Sequence, residues 1–179
     1  LSDLYLHQLS ILLCHSLWID IYSIMLKNKF LSFIFFAFVS YSASFIGGII
    51  TYTSKEPWYS TLIKPSFNPP AWVFAPVWST LYLLMTIAIW LSWHKDVTNN
   101  KLIHLYLIHL IFNATWSIVF FYFHNIFLAL LNIMVIIFFI LLLMSEYKKI
   151  SIVSFYLMIP YLVWCCYAFT LNLSLLYLN

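Results

Sequence analysis

Residues 102–145 have the sequence LIHLYLIHLIFNATWSIVFFYFHNIFLALLNIMVIIFFILLLMS, which is 44 consecutive residues without a charged side chain. An α-helix rises about 1.5 Å per residue, so about 20 apolar residues cross a hydrocarbon core of roughly 30 Å. The stretch is therefore long enough for two crossings, and His124-Asn125 is the polar break between them. The pattern predicts two consecutive transmembrane helices, over 103–122 and 126–145.

The rest of the chain continues this pattern. Three further uncharged intervals of 25 to 30 residues each hold one helix, predicted over 31–50, 74–93 and 152–176. Overall, 65% of the residues are apolar and 7% are charged, with a mean hydropathy of +0.99. A soluble domain has about 25% charged residues, so a water-soluble globule and a disordered chain are both excluded. The predicted fold class is an all-α integral membrane protein, a bundle of five transmembrane helices.

The first 30 residues fit a transmembrane span poorly, because polar and charged side chains interrupt their apolar stretch. Residues 25–30, MLKNKF, have the pattern of a natural start with a basic flank. We therefore expect translation to begin at Met25, residues 1–24 to be a non-native or dispensable extension, and residues 25–179 to form a single five-helix domain. One alternative stays open, because a basic flank, an apolar run and Ser42-Ala43-Ser44 also have the pattern of a cleaved signal peptide.

The lysines predict the orientation, since lysine and arginine are enriched on the cytoplasmic side. Five spans place Lys55 and Lys64 on one side of the membrane and six lysines on the other. The N-terminus is therefore expected in the cytoplasm and the C-terminus on the opposite side. The six are Lys27, Lys29, Lys95, Lys101, Lys148 and Lys149.

Residues 51–73 form the longest predicted connection, between the first two spans. Proline disfavours helix in the residue before it, so this proline-rich segment is expected to be an ordered, extended lid rather than a helix. Four aromatic side chains alternate with its prolines and favour a lid over a cavity, the alternative being an interfacial aromatic belt. The prolines are Pro57, Pro65, Pro69 and Pro70, and the aromatic residues are Trp58, Tyr59, Phe67 and Trp72.

This composition argues against several kinds of chemistry. The predicted spans contain no Asp or Glu for a proton relay, and the chain has no arginine for a bidentate anion clamp. Two glycines are too few for a glycine-rich phosphate loop, and the histidines are not spaced for a shared metal ion. We expect no metal, no cofactor and no nucleic-acid partner.

Aromatic and amide side chains recur at helical spacing on three of the predicted helices. Residues three and four apart share one face of a helix, and polar residues in a span face the bundle interior. Such faces could line a pocket for a large, flat, mostly apolar ligand, whereas ordinary interhelical hydrogen bonding is the alternative. The three sets are Trp78, Tyr82 and Thr86; His109, Asn113, Trp116 and Phe120; and Tyr161, Trp164, Ala168 and Asn172.

The first helix has a stripe of small residues, Ser40, Ser44 and Gly48, with Ala43 and Gly47 beside it. Such a stripe lets a second helix approach closely. The partner is either a helix of the same chain or a second copy, so a homodimer is one expectation.

Three motifs resemble those of the TspO/MBR family, which includes the tryptophan-rich sensory proteins and the translocator protein. Residues 58–82, WYSTLIKPSFNPPAWVFAPVWSTLY, are similar to its first-loop signature. Residues 113–116, NATW, and 160–172, PYLVWCCYAFTLN, are similar to its third and fifth helices. The resemblance runs from about residue 30 to the end of the chain.

This resemblance implies a membrane protein, often dimeric, that binds porphyrins and haem-type tetrapyrroles as a sensor, carrier or scavenger. The tetrapyrrole is a ligand here and not a cofactor. The family's cavity corresponds to eight residues of this chain: Tyr59, Trp72, Trp78, Asn113, Trp116, Trp164, Ala168 and Asn172.

Two alternatives remain. Some bacterial members degrade protoporphyrin IX in light, and the two cavity tryptophans implicated there match Trp78 and Trp164. On this alternative the protein is an enzyme and these two residues are catalytic. A purely structural role within a larger membrane complex is the other alternative.

The chain departs from the family pattern at several positions. Ser117 and Ile118 stand where prolines often follow the third-helix tryptophan. No basic residue follows Tyr177, so sterol recognition through the animal C-terminal motif is not expected. A chain without arginine and rich in Ile, Phe and Asn is typical of an AT-rich bacterial genome, which favours a bacterial envelope membrane. Three bulky residues at the start of the fourth helix are expected to narrow the cavity: Phe127, Leu128 and Leu131.

Overall fold

The computed structural model describes residues 28–179, which form helices and no strands. The expected extension over residues 1–24 and the expected start at Met25 lie outside this range. The chain divides after Phe35, and all packing described below lies within Phe36–Asn179. The helices are α1 (Lys29–Ser54), α2 (Trp58–Thr61), α3 (Ala71–Lys95), α4 (Asn100–Ser117), a π-helical turn (Ile118–Tyr122), α5 (Ile126–Ile150), α6 (Ile152–Leu157) and α7 (Ile159–Leu178).

Five of these segments in the described chain are long and apolar enough to cross a membrane. They are α1, α3, α4 with the π-helical turn, α5, and α6 with α7. Each contains the span predicted from the sequence and extends it by no more than five residues at either end. The prediction of a five-helix, all-α membrane protein is therefore confirmed.

Asparagine side chains begin two of the spanning helices. The first N–H groups of a helix have no partner within the helix, and an Asn side chain at the N-cap can accept a hydrogen bond from one of them. Asn99 accepts from Leu102 N at 3.0 Å, and Asn125 accepts from Leu128 N at 2.9 Å. His124, just before the second cap, has a φ of 53°, which reverses the chain. The predicted break at His124-Asn125 is therefore confirmed.

The third span changes its hydrogen-bond pattern at Ile118. Ile118 begins the π-helical turn, and Phe123 N donates to Ile118 O at 3.0 Å, five residues back. A π-helical turn interrupts the regular i to i−4 ladder and often marks a functional region. The helix is therefore irregular at this point without a proline.

The expectation that residues 51–73 are extended and non-helical is wrong in part. Helix α1 continues to Ser54, residues 58–61 form the short helix α2, and α3 already begins at Ala71. Pro57 and Pro70 stand at the N-caps of α2 and α3. A proline at a helix start removes no helical hydrogen bond, so these two prolines begin helices instead of preventing them.

The bundle is built around two sets of helix contacts. Helix α5 packs against α4 and α7, and α3 packs against α6 and α7. At one end of the bundle, Glu146 of α5 accepts from Lys101 Nζ at 2.7 Å and from Lys149 Nζ at 3.0 Å. The start of α4 and the end of α5 therefore lie together, as the topology requires.

Helix α1 runs beside α4 with its small residues at the contact. Ser40 Oγ and Tyr106 Oη are 2.6 Å apart, and both side chains are buried. Further along, a Cβ added at Gly47 would lie 3.1 Å from Ser117 Oγ. Such a contact is tighter than most, so a side chain at this position would force Ser117 to shift, and glycine avoids this.

The predicted stripe of small residues is divided between two faces of α1. Ser44 and Gly48 do not share the α4 contact, because a Cβ added at Gly48 would meet nothing within 4 Å. Together with Phe45, Ile49 and Tyr52 they line an open groove of about 380 Å³ on the outer surface. The close approach within this chain thus uses Ser40 and Gly47, Ala43 is also buried, and Ser44 and Gly48 remain open.

Candidate functional site

A series of hydrogen-bonded side chains joins α3, α4 and α7 inside the bundle, and we call it the interior network: Tyr82, His109, Asn113 and Tyr161. Tyr82 Oη donates to Asn113 Oδ1, and Asn113 Nδ2 donates to Tyr161 Oη at 2.8 Å. Tyr161 Oη also lies 2.7 Å from His109 Nε2. All four side chains are buried, and both ends of the Asn113 amide are occupied.

One ring nitrogen of the network has no partner. Tyr161 Oη accepts from Asn113, and the donor between Tyr161 Oη and His109 Nε2 is set by the His109 tautomer. His109 Nδ1 is buried and has no hydrogen-bond partner among the described residues. The network therefore leaves one polar ring atom unpaired at its α4 end.

Aromatic rings form a row between the antiparallel helices α3 and α7. Trp78 lies 6.2 Å from Tyr161 between ring centroids, and one turn away Phe74 lies 6.0 Å from Trp164. Both pairs are edge-to-face, which is a favoured arrangement of aromatic rings. The row joins the interior network through Tyr161 and extends toward the end of the bundle where the α1–α3 connection lies.

A second group of rings lies where that connection meets the third span, and we call it the outer aromatic cluster: Trp58, Tyr59, Trp116, Phe120 and Phe121. Trp116 stacks on Phe120 at 5.0 Å between centroids and 14° between planes. Tyr59 contacts the edges of Phe120 at 6.2 Å and of Phe121 at 5.8 Å. Trp116 Nε1 is buried without a hydrogen-bond partner in the described structure. The cluster is therefore held mainly by ring contacts.

Two ammonium groups lie beside this cluster. Lys64 Nζ is 4.6 Å and Lys55 Nζ is 5.7 Å from the centroid of the Tyr59 ring, within cation–π range. Burial raises the pKa of the Tyr59 hydroxyl, which donates to Asn68 Oδ1 at 3.4 Å. Tyr59 thus stays neutral at physiological pH and connects an apolar cluster to a positively charged rim.

The structure brings most of the sequence-predicted site residues into these groups. Trp78 and Asn113 meet through Tyr161, and Trp164 belongs to the same α3–α7 row. Tyr59 and Trp116 both contact Phe120 in the outer aromatic cluster. The site therefore has two parts, one polar and central, the other aromatic and close to the surface.

The other three predicted residues have different surroundings. Asn172 is buried, and its Nδ2 donates to Ile126 O at 2.8 Å, beside the outer aromatic cluster. Ala168 is half-buried one turn earlier on α7. Trp72 is the second residue of α3, not part of the connection, and it is 74% exposed. It belongs to neither group of rings.

The expectation that bulky residues of α5 narrow the site is wrong. Phe127, Leu128 and Leu131 are between 41% and 54% exposed on the outer face of the helix. The residue of this turn that packs into the outer aromatic cluster is Ala129, which is fully buried. A small side chain therefore faces the cluster, and the large ones face outward.

Sequence reasoning missed three residues of the site. Tyr106 precedes Asn113 by seven residues, so the same helical period could have placed its buried side chain on the inner face. Phe74 precedes Trp78 by four residues and could have been found in the same way. Phe121 was not found, because it lies about 100° from Phe120 on a helix and so falls outside the spacing of three and four residues that defines the predicted inward face.

Metal binding has no geometric basis in the part of the chain that the structure describes. Within residues 28–179, no three His, Cys, Asp or Glu side chains are grouped so that they could hold a metal ion. What the site offers a ligand is aromatic surface, a hydrogen-bonded amide and two ammonium groups.

These features define a multi-pass membrane protein whose helix interior presents aromatic and amide groups. The sequence model of the TspO/MBR family matches residues 33–178, and the chain belongs to this family. It is 34% identical to the tryptophan-rich protein TspO of Chlorobaculum tepidum, over 77% of this chain and 89% of that protein. It is 34% identical to the tryptophan-rich sensory protein of Cereibacter sphaeroides, over 69% and 78% of the two chains. It is 30% identical to the human translocator protein, over 72% and 78%.

Proposed function

We propose that this protein binds tetrapyrroles of the porphyrin and haem type and acts as a sensor, carrier or scavenger for them. The observation that supports this most strongly is the outer aromatic cluster, in which Trp116 and Phe120 stack in nearly parallel planes. A flat conjugated macrocycle makes the same kind of contact with an aromatic face as another ring does. It can therefore replace a ring-to-ring contact without leaving a polar group unpaired.

The α1–α3 connection would serve as the lid of this site. Tyr167 of α7 donates to Phe67 O at 2.7 Å. The side chain of Asn179 bonds both backbone groups of Ile63, accepting from its N at 2.9 Å and donating to its O at 3.1 Å. These bonds hold the connection against α7, and a ligand that enters from this end would have to displace them.

The central amide would hold a polar group of the ligand. Asn113 makes one bond to Tyr82 and one to Tyr161, so a ligand acceptor or donor there must take the place of a tyrosine hydroxyl. Such an exchange conserves the number of hydrogen bonds, which keeps its cost low. The interior network would thus limit the depth to which a ligand enters.

A fluorescence titration tests the proposal. Protoporphyrin IX is added in the dark to the purified full chain, and saturable quenching of tryptophan emission is expected. Trp116→Leu removes the stacking surface and should weaken binding about fivefold, because an aromatic pair contributes on the order of 1 kcal/mol beyond burial. Trp72→Leu is the matched control, since this exposed indole should not affect affinity. Absence of saturable quenching would overturn the proposal.

Light-dependent oxidation of bound protoporphyrin IX is a second candidate, favoured by the row of rings that contains Trp78 and Trp164. Dioxygen would be the oxidant that accepts the electrons lost by the porphyrin, and an indole beside the excited porphyrin would relay them one at a time. Under illumination the porphyrin absorption band should then decay, and Trp164→Phe should stop the decay while binding in the dark persists. If the porphyrin band of the wild-type sample is stable under illumination, the enzyme proposal fails and only the binding function remains.

The proposed orientation places the N-terminus in the cytoplasm, with the Lys101–Glu146–Lys149 cluster on that side. Its test uses single cysteines in a chain whose native cysteines are replaced by alanine. An impermeant maleimide added to intact cells should label Lys64→Cys and spare Lys101→Cys, and the reverse result would invert the topology.

A further inference from the structure

The charge of Lys64 is not neutralised by an ion pair. Its Nζ lies 3.4 Å from Leu62 O and above the ring of Tyr59, and it takes part in none of the ion pairs between described residues. An ammonium group has three donors, so at least one has no polar partner from the described residues. Lys64 is half-buried, which makes an uncompensated charge less favourable than it would be in open water.

Three other lysines have acidic partners, which Lys64 lacks. Lys55 is paired with its neighbour Glu56 at 3.5 Å. At the opposite end of the bundle, Lys101 and Lys149 share Glu146. A lone positive charge therefore stands at the edge of the outer aromatic cluster, within 5 Å of one of its rings.

This combination matches an amphipathic anion with a flat apolar body. Tyr59 contacts Phe120 and Phe121 with its ring edges, while the ammonium of Lys64 lies over its ring. A planar ligand stacked in the cluster would have its margin near Lys64. A carboxylate on that margin would receive a charge-assisted hydrogen bond from Nζ, which is stronger than a neutral one.

We propose that Lys64 binds a carboxylate side chain of the tetrapyrrole, so that the site selects tetrapyrroles with free acid groups over their neutral esters. Lys55 has a secondary role, because its ammonium must first exchange Glu56 for the ligand. The inference rests on the proposed tetrapyrrole binding and adds the group that recognises the ligand's charge. The partner is thus a planar carboxylate and not a neutral planar molecule such as a sterol.

The experiment compares two ligands with the same ring system, protoporphyrin IX and its dimethyl ester. Both are titrated in the dark into the full chain in zwitterionic lipid nanodiscs. The wild-type protein should bind the acid about fivefold more tightly than the ester, the upper range for a partly exposed ion pair. Added salt should reduce this preference, because the charges are partly open to solvent.

Variants separate the charge from the side chain's packing. Lys64→Gln should abolish the preference for the acid and leave ester binding unchanged, whereas Lys64→Arg should retain it. Lys55→Gln should reduce it by less. Lys95→Gln, at the opposite end of the bundle, is the matched control and should have no effect.

Each other result overturns the inference. Equal wild-type affinity for acid and ester would do so while the proposed function stands. An equal loss of affinity for the acid and the ester in Lys64→Gln would mean that the lysine only holds the Tyr59 ring in place. A parallel measurement adds anionic lipid to the nanodiscs. If Lys64→Gln lowers retention of that lipid but leaves the acid-to-ester affinity ratio unchanged, the lysine binds lipid phosphate instead. If neither ligand binds, the proposed function fails, and this inference fails with it.

Discussion

The interior network and the outer aromatic cluster lie in one bundle but are held by different forces. In the interior network, three hydrogen bonds join four buried side chains from three helices. In the outer aromatic cluster, ring centroids lie 4.9–6.2 Å apart and the Trp116 indole nitrogen has no hydrogen-bond partner among the described residues. The interior network is held by directional hydrogen bonds, and the outer aromatic cluster is held by apolar ring contacts.

This difference indicates which part of the site can exchange its contacts. A hydrogen bond weakens steeply when its angle or distance changes, so the interior network holds α3, α4 and α7 in one arrangement. Stacked and edge-to-face rings tolerate a broad range of geometries. We therefore expect the outer aromatic cluster to exchange its ring contacts more readily than the interior network, which acts as the fixed frame behind it.

The largest expected effect comes from removing the central ring of the outer aromatic cluster. Phe120 is buried and contacts four other rings, and Phe120→Ala should lower the free energy of unfolding by about 3 kcal/mol. If the cluster accepts a foreign ring, a flat aromatic ligand should restore part of this loss. Thermal unfolding in detergent, with and without protoporphyrin IX, measures both effects.

The matched control is Phe123→Ala, three residues further along, where the side chain is 64% exposed. Its unfolding should resemble that of the wild-type protein. Equal losses for the two variants would mean that the cluster contributes no packing energy and that the contrast with the interior network is false.

A smaller effect is expected when the interior network is broken. Asn113→Leu keeps the number and branching of the side-chain heavy atoms but leaves the Tyr82 hydroxyl without its partner and the Tyr161 hydroxyl with His109 alone. The loss should be about 1–2 kcal/mol, since a buried unpaired group is costly but interhelical bonds in membranes average only about 0.6 kcal/mol. An apolar ring cannot supply the missing bonds, so protoporphyrin IX should rescue this variant less than Phe120→Ala.

Asn132→Leu provides the comparison for a single amide. Asn132 is half-buried and donates one bond, to Thr115 Oγ1 at 3.0 Å. This variant should lose less stability than Asn113→Leu. If it loses more, the network among α3, α4 and α7 is not a special frame but ordinary interhelical hydrogen bonding.

Much of the frame could be predicted because it follows the helical period. The spacing of His109, Asn113 and Phe120 predicts one inward face, and all three are buried. Charge-free intervals predict the spans because the energetic cost of a charge in hydrocarbon depends little on its neighbours.

The outer aromatic cluster was harder to predict, because local backbone geometry decides it. The π-helical turn brings Phe121 inward beside Phe120. Pro70 begins α3, so Trp72 points away from the site instead of covering it. At the start of α5, the side of the helix that faces the cluster depends on its rotation, which composition does not reveal, and Ala129 faces it instead of Phe127.

The smallest expected effect concerns the connection that covers the outer aromatic cluster. Tyr167→Phe removes only the hydroxyl that donates to Phe67 O at 2.7 Å, and one such bond contributes about 1 kcal/mol. The connection should then open more often, while the interior network is unaffected. The backbone amide of Asn68 donates to Pro65 O at 3.0 Å and reports this opening, and its hydrogen exchange should become about fivefold faster.

The control is Tyr177→Phe, which alters a tyrosine that is 90% exposed and should leave this exchange rate unchanged. Amides of α3 and α4 near Asn113 should keep their wild-type exchange rates in Tyr167→Phe. If they also exchange faster, the connection and the interior network open together, and the interior network is not a fixed frame.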